Sequence, residues 1–100
     1  MKALSYNNFF INFANKAKLE IIIALRECPL TVSEIIKKVN KEQSAVSHNL
    51  KKLKSCYIIN VKKKGKSRLY SLNENTVIPM LKFVEKHIKK NCCEGCKKCS

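Results

Sequence analysis

The chain has 100 residues, a formal net charge of +14 and six cysteines. A protein of this length forms a single domain with a limited core, so a second subunit would be a natural supplement to its stability. The sequence argues against an enzyme, because it has only seven acidic residues and contains no phosphate loop, nucleophile motif or carboxylate pair.

Positive charge is concentrated in the middle of the chain, where eleven Lys or Arg residues stand against two glutamates between positions 31 and 70. This distribution favours a polyanionic partner, whose binding would weaken steeply with salt. A membrane surface is the competing interpretation, but the longest apolar run, Ile21–Leu25, is far too short to span a bilayer. Asparagines at positions 7, 8, 12 and 15 argue against a signal peptide, so the expected compartment is the reducing cytoplasm.

The N-terminal segment is predicted to be a helix rich in aromatic residues. The residues at helical spacing are Tyr6, Phe9, Phe10, Phe13 and Ala17. Such an aromatic load is heavy for a peripheral helix, so part of it is expected to be covered by another surface. Further along, Cys28 precedes Pro29 at a helix end and is expected to be buried as a small hydrophobic residue.

A short helix and a turn are predicted from residue 31 onward. Thr31 and Glu34 have the spacing of a capping box, which marks the start of a helix. The apolar residues of this helix are Ile35, Ile36 and Val39. A polar turn, Asn40–Glu42, separates it from a second helix, which is the order of a helix-turn-helix motif.

The second helix, predicted over Ser44–Lys54, is the most informative element. Val46, Leu50 and Leu53 recur at i, i+4 and i+7 and form one apolar stripe. The remaining surface carries short polar side chains in its first half and lysines further along. This suits a helix end that enters a DNA groove between phosphate backbones, while a solvated lysine face is the simpler alternative.

A β-hairpin with a cationic tip is predicted after this helix. Tyr57–Val61 is β-branched and aromatic, Lys62–Ser67 is a polar turn with a glycine, and Arg68–Leu72 alternates with period two. The predicted fold is therefore mainly α with a β-hairpin wing, a winged helix-turn-helix. Cys56, between helix and wing, is expected to be buried, with a role in coupling a ligand to helix orientation as the alternative.

The last predicted helix carries apolar residues at i, i+4, i+7 and i+11. They are Val77, Leu81, Val84 and Ile88, and residues 73–76 supply candidates for the helix cap. This helix and the aromatic N-terminal helix would flank the winged core. Their apolar faces either pack on that core or form a dimer interface.

A cysteine-rich tail over residues 91–100 is predicted as a unit distinct from the domain formed by residues 1–90. Cys93, Cys96 and Cys99 are spaced as C-x2-C-x2-C, with Cys92 adjacent. Gly95 gives the backbone freedom to curl so that several sulfurs converge. In a cytosolic protein such a cluster binds metal or senses redox state more often than it forms structural disulfides. Flanking lysines favour the thiolate forms.

The sequence resembles the ArsR/SmtB family of small winged-helix repressors that respond to metals and metalloids, over nearly the whole chain. The matching segments are Leu19–Leu25, Pro29–Ile35, Gln43–Leu50, Leu53 before the first strand, and Gly65–Leu72 across the wing. One departure is Asn49, because the family usually has His-His or His-Leu where this chain has His48-Asn49-Leu50. The resemblance implies a homodimer that binds a two-fold symmetric operator in double-stranded DNA, with the terminal helices pairing across the two-fold axis.

The same resemblance implies which residues contact DNA. At base edges these would be Gln43, Ser44, Ser47 and His48. At phosphates they would be Lys51, Lys52, Lys64, Lys66 and Arg68.

The resemblance also implies where a regulatory ligand would bind. Family members bind their ligand in one of three ways. They use cysteines in the helix that precedes the DNA-reading (recognition) helix, carboxylate and histidine ligands on the last helix, or terminal cysteines. Here Thr31–Ile36 has no cysteine, and no histidine follows Glu85 and His87, so the terminal arrangement is left. It implies arsenic(III) held by three sulfurs as the leading ligand and zinc or cadmium next. An iron–sulfur cluster ranks third, because the usual fourth cysteine before proline is missing.

The resulting hypothesis is a repressor that releases its operator when a thiophilic metal or metalloid binds Cys92, Cys93, Cys96 and Cys99. Ligand binding would close the tail against the last helix and change the spacing of the two recognition helices. The alternative is a winged-helix DNA-binding protein whose tail holds a structural zinc, an iron–sulfur cluster or a redox-sensing group.

Overall fold

A computed structural model describes residues 1–91, which form five helices and three strands. The helices are α1 (Ala3–Ala14), α2 (Lys16–Glu27), α3 (Val32–Val39), α4 (Gln43–Ser55) and α5 (Val77–Asn91). The strands are β1 (Leu30–Thr31), β2 (Ile59–Lys64) and β3 (Ser67–Leu72). The predicted winged helix-turn-helix is confirmed: α3 and α4 form the helix-turn-helix, and β2 and β3 form the wing.

The core lies where α2, α3 and α4 meet the sheet. Its buried hydrophobic residues are Ile21, Ile22, Ala24, Leu25, Leu30, Ile35, Val46, Leu50, Leu53, Ile58, Ile59, Leu72 and Val77. The apolar stripe predicted for α4 is confirmed, because its three residues are at most 2% exposed. Truncating one such leucine to alanine lowers the free energy of unfolding by about 2–5 kcal/mol, so this stripe holds α4 firmly against the core.

The N-terminal aromatic helix is shorter than predicted. Asn15 ends α1 with an extended backbone, and its side chain accepts a hydrogen bond of 3.0 Å from the backbone N–H of Lys18, which caps α2. Ala17 therefore belongs to α2 and does not continue the face of α1, so that part of the prediction is wrong. Asparagine competes for backbone hydrogen bonds in this way, which explains why an apparently continuous pattern is broken.

The capping box predicted at the start of α3 is confirmed. The backbone N–H of Thr31 donates to Oε1 of Glu34 at 2.8 Å, and the backbone N–H of Glu34 donates to Oγ1 of Thr31 at 3.3 Å. α3 ends at Asn40, whose φ of 53° is the left-handed conformation that asparagine tolerates at a helix end. These two ends fix the length of the first helix of the motif and the direction in which the chain enters α4.

The three strands form an antiparallel sheet in the order β1-β3-β2. The predicted turn over Lys62–Ser67 is too long, because Lys62, Lys63 and Lys64 pair with Leu69, Arg68 and Ser67. Only Gly65 and Lys66 form the turn, and the φ of 62° at Gly65 explains the glycine there. Strand β1 was not predicted; it is two residues long and pairs with Tyr70 and Leu69.

Helix α5 is joined to the domain mainly at its first turn. Val77 is buried, whereas the residues beyond Leu81 are exposed. Further along, Arg26 of α2 donates two hydrogen bonds to Glu85, from Nε to Oε2 at 3.1 Å and from Nη2 to Oε1 at 3.0 Å. This two-pronged ion pair links the middle of α5 to α2. Within residues 1–91, no helix is long and apolar enough to cross a membrane.

Candidate nucleic-acid interface

The outer face of α4 is free to meet a partner because the inner face is fixed in the core. Every residue of α4 assigned to DNA contact is exposed, namely Gln43, Ser44, Ser47, His48, Lys51 and Lys52. Glu42 precedes the helix and makes no side-chain cap bond, so it leaves the first backbone N–H groups of α4 without a side-chain acceptor. Helix N-termini of this kind attract phosphate groups.

The wing adds a second cationic surface beside α4. Lys64, Lys66 and Arg68 are all exposed, and Lys64 and Lys66 flank Gly65 at the hairpin tip. The register places Lys63 opposite Arg68, so cations stand side by side across the two strands. Neighbouring like charges repel one another, and an anionic partner would relieve that repulsion.

The structure brings some of the predicted DNA-contacting residues together and keeps others apart. Lys51 of α4 and Arg68 of β3 line one cleft, together with Ser47. The tip residues Lys64 and Lys66 are not among the residues that line it, so helix and wing tip form separate contact points. Sequence reasoning missed two further lining residues, Lys54 and Tyr70. Their spacing from Ser47 and Arg68, i+7 on a helix and i+2 on a strand, was the available signal.

Two carboxylates near this surface, Glu34 and Glu27, are engaged locally. The hydrogen bonds from the backbone and side chain of Thr31 lower the pKa of Glu34 below its usual value, with a smaller contribution from Lys64. Between α2 and α3, Glu27 forms an ion pair with Lys38, which lowers the pKa of Glu27 and raises that of Lys38. Neither pair involves a cation of the outer face of α4, so the charge of that face is uncompensated by these carboxylates.

The proposed metal ligands cannot be placed by the structure, because Cys92, Cys93, Cys96 and Cys99 lie outside the described residues. Within residues 1–91, no group of three or more histidine, cysteine or acidic side chains could hold a metal ion. Glu85 is engaged by Arg26, and His87 is exposed and lies 3.2 Å from Nδ2 of Asn91 through its Nδ1.

The expectation that Cys28 and Cys56 are buried is wrong, because both are exposed. Cys28 lies in extended backbone immediately after α2, where the chain turns toward Pro29. Cys56 follows the last turn of α4, beyond the final residue of the apolar stripe. Both side chains are therefore exposed at helix ends, and the local sequence did not reveal this exposure.

The terminal helices expose large apolar side chains that the single chain leaves uncovered. On α1 these are Leu4, Tyr6, Phe10 and Ile11, and on α5 they are Phe83, Val84 and Ile88. Phe9 and Phe13 of α1 pack against the core instead. Phe9 and Phe13 thus anchor α1 to its own domain while the other large apolar side chains of the helix are left uncovered, and monomeric proteins seldom expose apolar residues in such number on adjacent turns.

Comparison with known proteins shows that this chain is similar in sequence to bacterial regulatory proteins. Residues 15–61 match the family model described as bacterial regulatory protein, arsR family. The HTH-type transcriptional regulator NmtR of Mycobacterium tuberculosis is 35% identical over 68 residues, covering 68% of this chain and 57% of that protein. The transcriptional repressor SmtB homolog of Synechocystis is 29% identical over 83 residues, covering 83% of this chain and 63% of that protein. This chain thus spans about three fifths of the length of these curated relatives.

A solved structure shows the same fold over most of the chain. It is the solution structure of the homodimeric winged helix-turn-helix DNA-binding domain Mb0332 from Mycobacterium bovis, a possible ArsR-family transcriptional regulator. The TM-score is 0.74 at 19% identity, and the alignment covers 89% of this chain and 86% of the other. The relatives named here are regulators and not enzymes, in agreement with the expectation from the sequence.

Proposed function

We propose that this chain, which belongs to the ArsR family of bacterial regulatory proteins, is a transcriptional repressor that binds double-stranded operator DNA as a homodimer. The observation that carries this proposal is the exposed polar and cationic face of α4, held on a fully buried apolar stripe beside a cationic wing. Such a helix can enter the major groove without disturbing the core. Gln43, Ser44, Ser47 and His48 would meet base edges, and the lysines and Arg68 would meet phosphates.

A second copy of the chain is the proposed cover for the terminal helices. Phe10 is 52% exposed and Phe83 is 73% exposed, although both lie on helices that also contact the domain. Burying apolar area contributes about 25 cal/mol per Å², so a two-fold pairing of these faces would be favourable. The Mb0332 domain, which has the same fold and is homodimeric, supports the proposal of a homodimer.

The regulatory ligand is proposed to be a thiophilic metal or metalloid, with arsenic(III) first and zinc or cadmium next. The four tail cysteines follow directly on α5 in the sequence, and α5 carries apolar residues assigned to the dimer. Ligand binding there would act on α5, which the ion pair between Arg26 and Glu85 links to α2, and would change the direction of α5. A changed direction would alter the spacing of the recognition helices, and DNA would reciprocally weaken ligand binding by the same factor.

The DNA-binding part is tested by fluorescence anisotropy with the reduced full chain. An operator is first selected from a random duplex library, and affinity is then compared with a scrambled duplex. We expect the double variant Ser47→Ala/His48→Ala to lose about 10- to 100-fold in preference for the selected site while it retains binding to the scrambled duplex. A wild-type chain that binds neither duplex would refute the proposed function.

The ligand is tested by titrating the protein–operator complex with arsenite, cadmium and zinc in turn. We expect one of them to release the DNA from the wild-type chain and from Cys28→Ser/Cys56→Ser. Replacement of all four tail cysteines by serine should abolish release and leave DNA affinity unchanged. Release that survives this replacement would place the regulatory site elsewhere. If operator affinity is unchanged by all three ions, the result would favour the alternative, a tail that holds a structural zinc, an iron–sulfur cluster or a redox-sensing group.

A further inference from the structure

A cleft of about 410 Å³ lies between α4, the proposed recognition helix, and the wing. Its lining residues are Ser47, Leu50, Lys51, Lys54, Arg68 and Tyr70. The four from α4 follow i, i+3, i+4 and i+7 and therefore share one face of the helix. The two from β3 are two residues apart and therefore point to the same face of the sheet. The cleft thus lies between one face of α4 and one face of β3.

The cleft combines three cations with no carboxylate. None of Lys51, Lys54 and Arg68 forms an ion pair within residues 1–91, where the ion pairs are Arg26–Glu85 and Lys38–Glu27. Three positive charges lining one cleft repel each other, and an anion between them would turn repulsion into attraction. Arg68 offers a planar fork that matches the oxygens of a phosphate group, and the lysines act as point charges.

The remaining lining residues suit a phosphodiester better than a small free anion. Leu50 is 2% exposed and, with the half-buried Tyr70, forms an apolar floor. Such a floor excludes water, which strengthens charge-assisted hydrogen bonds, and it can contact a sugar ring. Within the described chain, no hydrogen bond occupies the side-chain hydroxyl of Tyr70, so it is available as a neutral donor.

The position of the cleft favours the DNA backbone. A helix in the major groove has a phosphate strand on either side, because that groove is only about 12 Å wide. β3 lies beside α4 across the cleft, so the strand that borders the groove on this side would pass between helix and wing.

We propose that this cleft binds one phosphodiester group of the DNA backbone, with Lys54 and Tyr70 as contacts in addition to Lys51 and Arg68. This inference rests on the proposed DNA-binding function and assigns to each protomer one specific contact with the DNA backbone. The contact is independent of base sequence. It ties the orientation of the wing to that of α4 when DNA is bound, because both elements hold the same phosphate.

The first test compares Lys54→Gln with the matched control Lys16→Gln, which removes the same charge from an exposed lysine at the start of α2. We expect Lys54→Gln to weaken binding to all duplex sequences alike. It should also reduce the slope of log affinity against log salt concentration by about 0.9, the value for one phosphate contact. Tyr70→Phe should weaken binding by about three- to tenfold without changing that slope, because it removes one hydrogen bond and no charge. Lys16→Gln should behave as wild type.

A second test identifies the phosphate itself. Single phosphates of the selected operator are replaced in turn by neutral methylphosphonates. One replacement should weaken wild-type binding but have little further effect on Lys54→Gln, as expected for two partners of one contact. Unfolding temperatures of the variants check that they fold. If wild type binds DNA, Lys54→Gln matches Lys16→Gln, and no phosphate couples to Lys54, the cleft proposal is overturned and the proposed function stands. If wild type fails to bind any duplex, the proposed function itself has failed.

Discussion

Single residues at the end of α4 show how the chain leaves the recognition helix for the wing. Tyr57 has a φ of 59°, a left-handed backbone conformation that residues other than glycine and asparagine seldom adopt. Its conformation turns the chain so that Ile58, fully buried, donates from its backbone N–H to the carbonyl of Leu53 at 3.1 Å. The side chain of Asn73 supports the turn by donating to the carbonyl of Tyr57 at 3.0 Å. The turn that leads into the buried Ile58 therefore contains a strained residue.

The strain at this position predicts that Tyr57→Gly stabilises the protein. The tyrosine side chain is 78% exposed, so its removal loses little packing. Relief of the left-handed strain, less the added chain entropy of glycine, should raise the free energy of unfolding by about 0.5–1 kcal/mol. Thermal unfolding of the reduced protein would show an increase of several degrees, since about 1 kcal/mol corresponds to roughly 4–8 °C at this size.

Tyr57→Ala is the control for this prediction, because alanine removes the same exposed ring but keeps the Cβ that causes the strain. We expect its stability to be close to that of the wild type. Equal stabilisation by both substitutions would show that the ring, and not the backbone conformation, is the destabilising feature.

The elements were predictable from the sequence where their residues contact one another locally. The stripe of Val46, Leu50 and Leu53 and the capping box of Thr31 and Glu34 depend on spacing within one helix, so the pattern alone revealed them. The extent of β2 was not predictable, because Lys62–Lys64 is polar and becomes strand only through backbone pairing with β3. β1 is visible only through the same kind of pairing.

The candidate site shows the same division. The exposed residues of α4 and the wing follow from local pattern and family resemblance. The cleft does not, because Lys54 of α4 and Tyr70 of β3 are distant in sequence and line the same cleft only in the folded chain. Likewise, the local sequence around Cys28 and Cys56 gave no sign that both lie at exposed helix ends.

The capping box of α3 predicts a pH dependence of stability. Because hydrogen bonds from Thr31 lower the pKa of Glu34 in the folded chain below its ordinary 4.5, the unfolded state binds the proton more tightly. The carboxylate therefore contributes its stabilisation above pH 4.5, and this contribution is lost as the pH falls through the lower folded-state pKa. Glu34→Gln keeps a capping side chain but cannot ionise.

Urea unfolding of wild type and Glu34→Gln from pH 2 to pH 7 tests this expectation. The wild type should be the more stable above pH 4.5, and the difference should shrink below it. Glu74→Gln, an exposed glutamate in the loop before α5, corrects for the change in net charge. A difference between wild type and Glu34→Gln that stays constant across this range would contradict the role assigned to the Glu34 carboxylate.

At the scale of the whole molecule, positive charge acts differently on the two proposed partners. DNA attracts the cations of α4 and the wing, and salt weakens that attraction. α1 carries no charged residue, whereas α5 carries Lys82, Lys86, Lys89 and Lys90 against Glu85, which is paired with Arg26. A second copy that covers the apolar face of α5 would bring two sets of lysines toward each other. Like charges at an interface oppose association, and salt screens that opposition.

Dimer formation is therefore expected to strengthen with sodium chloride over the range in which DNA binding weakens. The Debye length falls from about 30 Å at 0.01 M to about 10 Å at 0.1 M salt, so most of the effect should occur between these concentrations. Sedimentation equilibrium of the reduced protein should show a several-fold lower dimer dissociation constant at the higher concentration. Lys86→Gln/Lys89→Gln should reduce this salt effect, and Lys16→Gln should not. A dimer that dissociates as salt is added would mean that ion pairs hold the interface, which conflicts with an interface formed by the uncharged α1 and the apolar face of α5 with its neighbouring lysines.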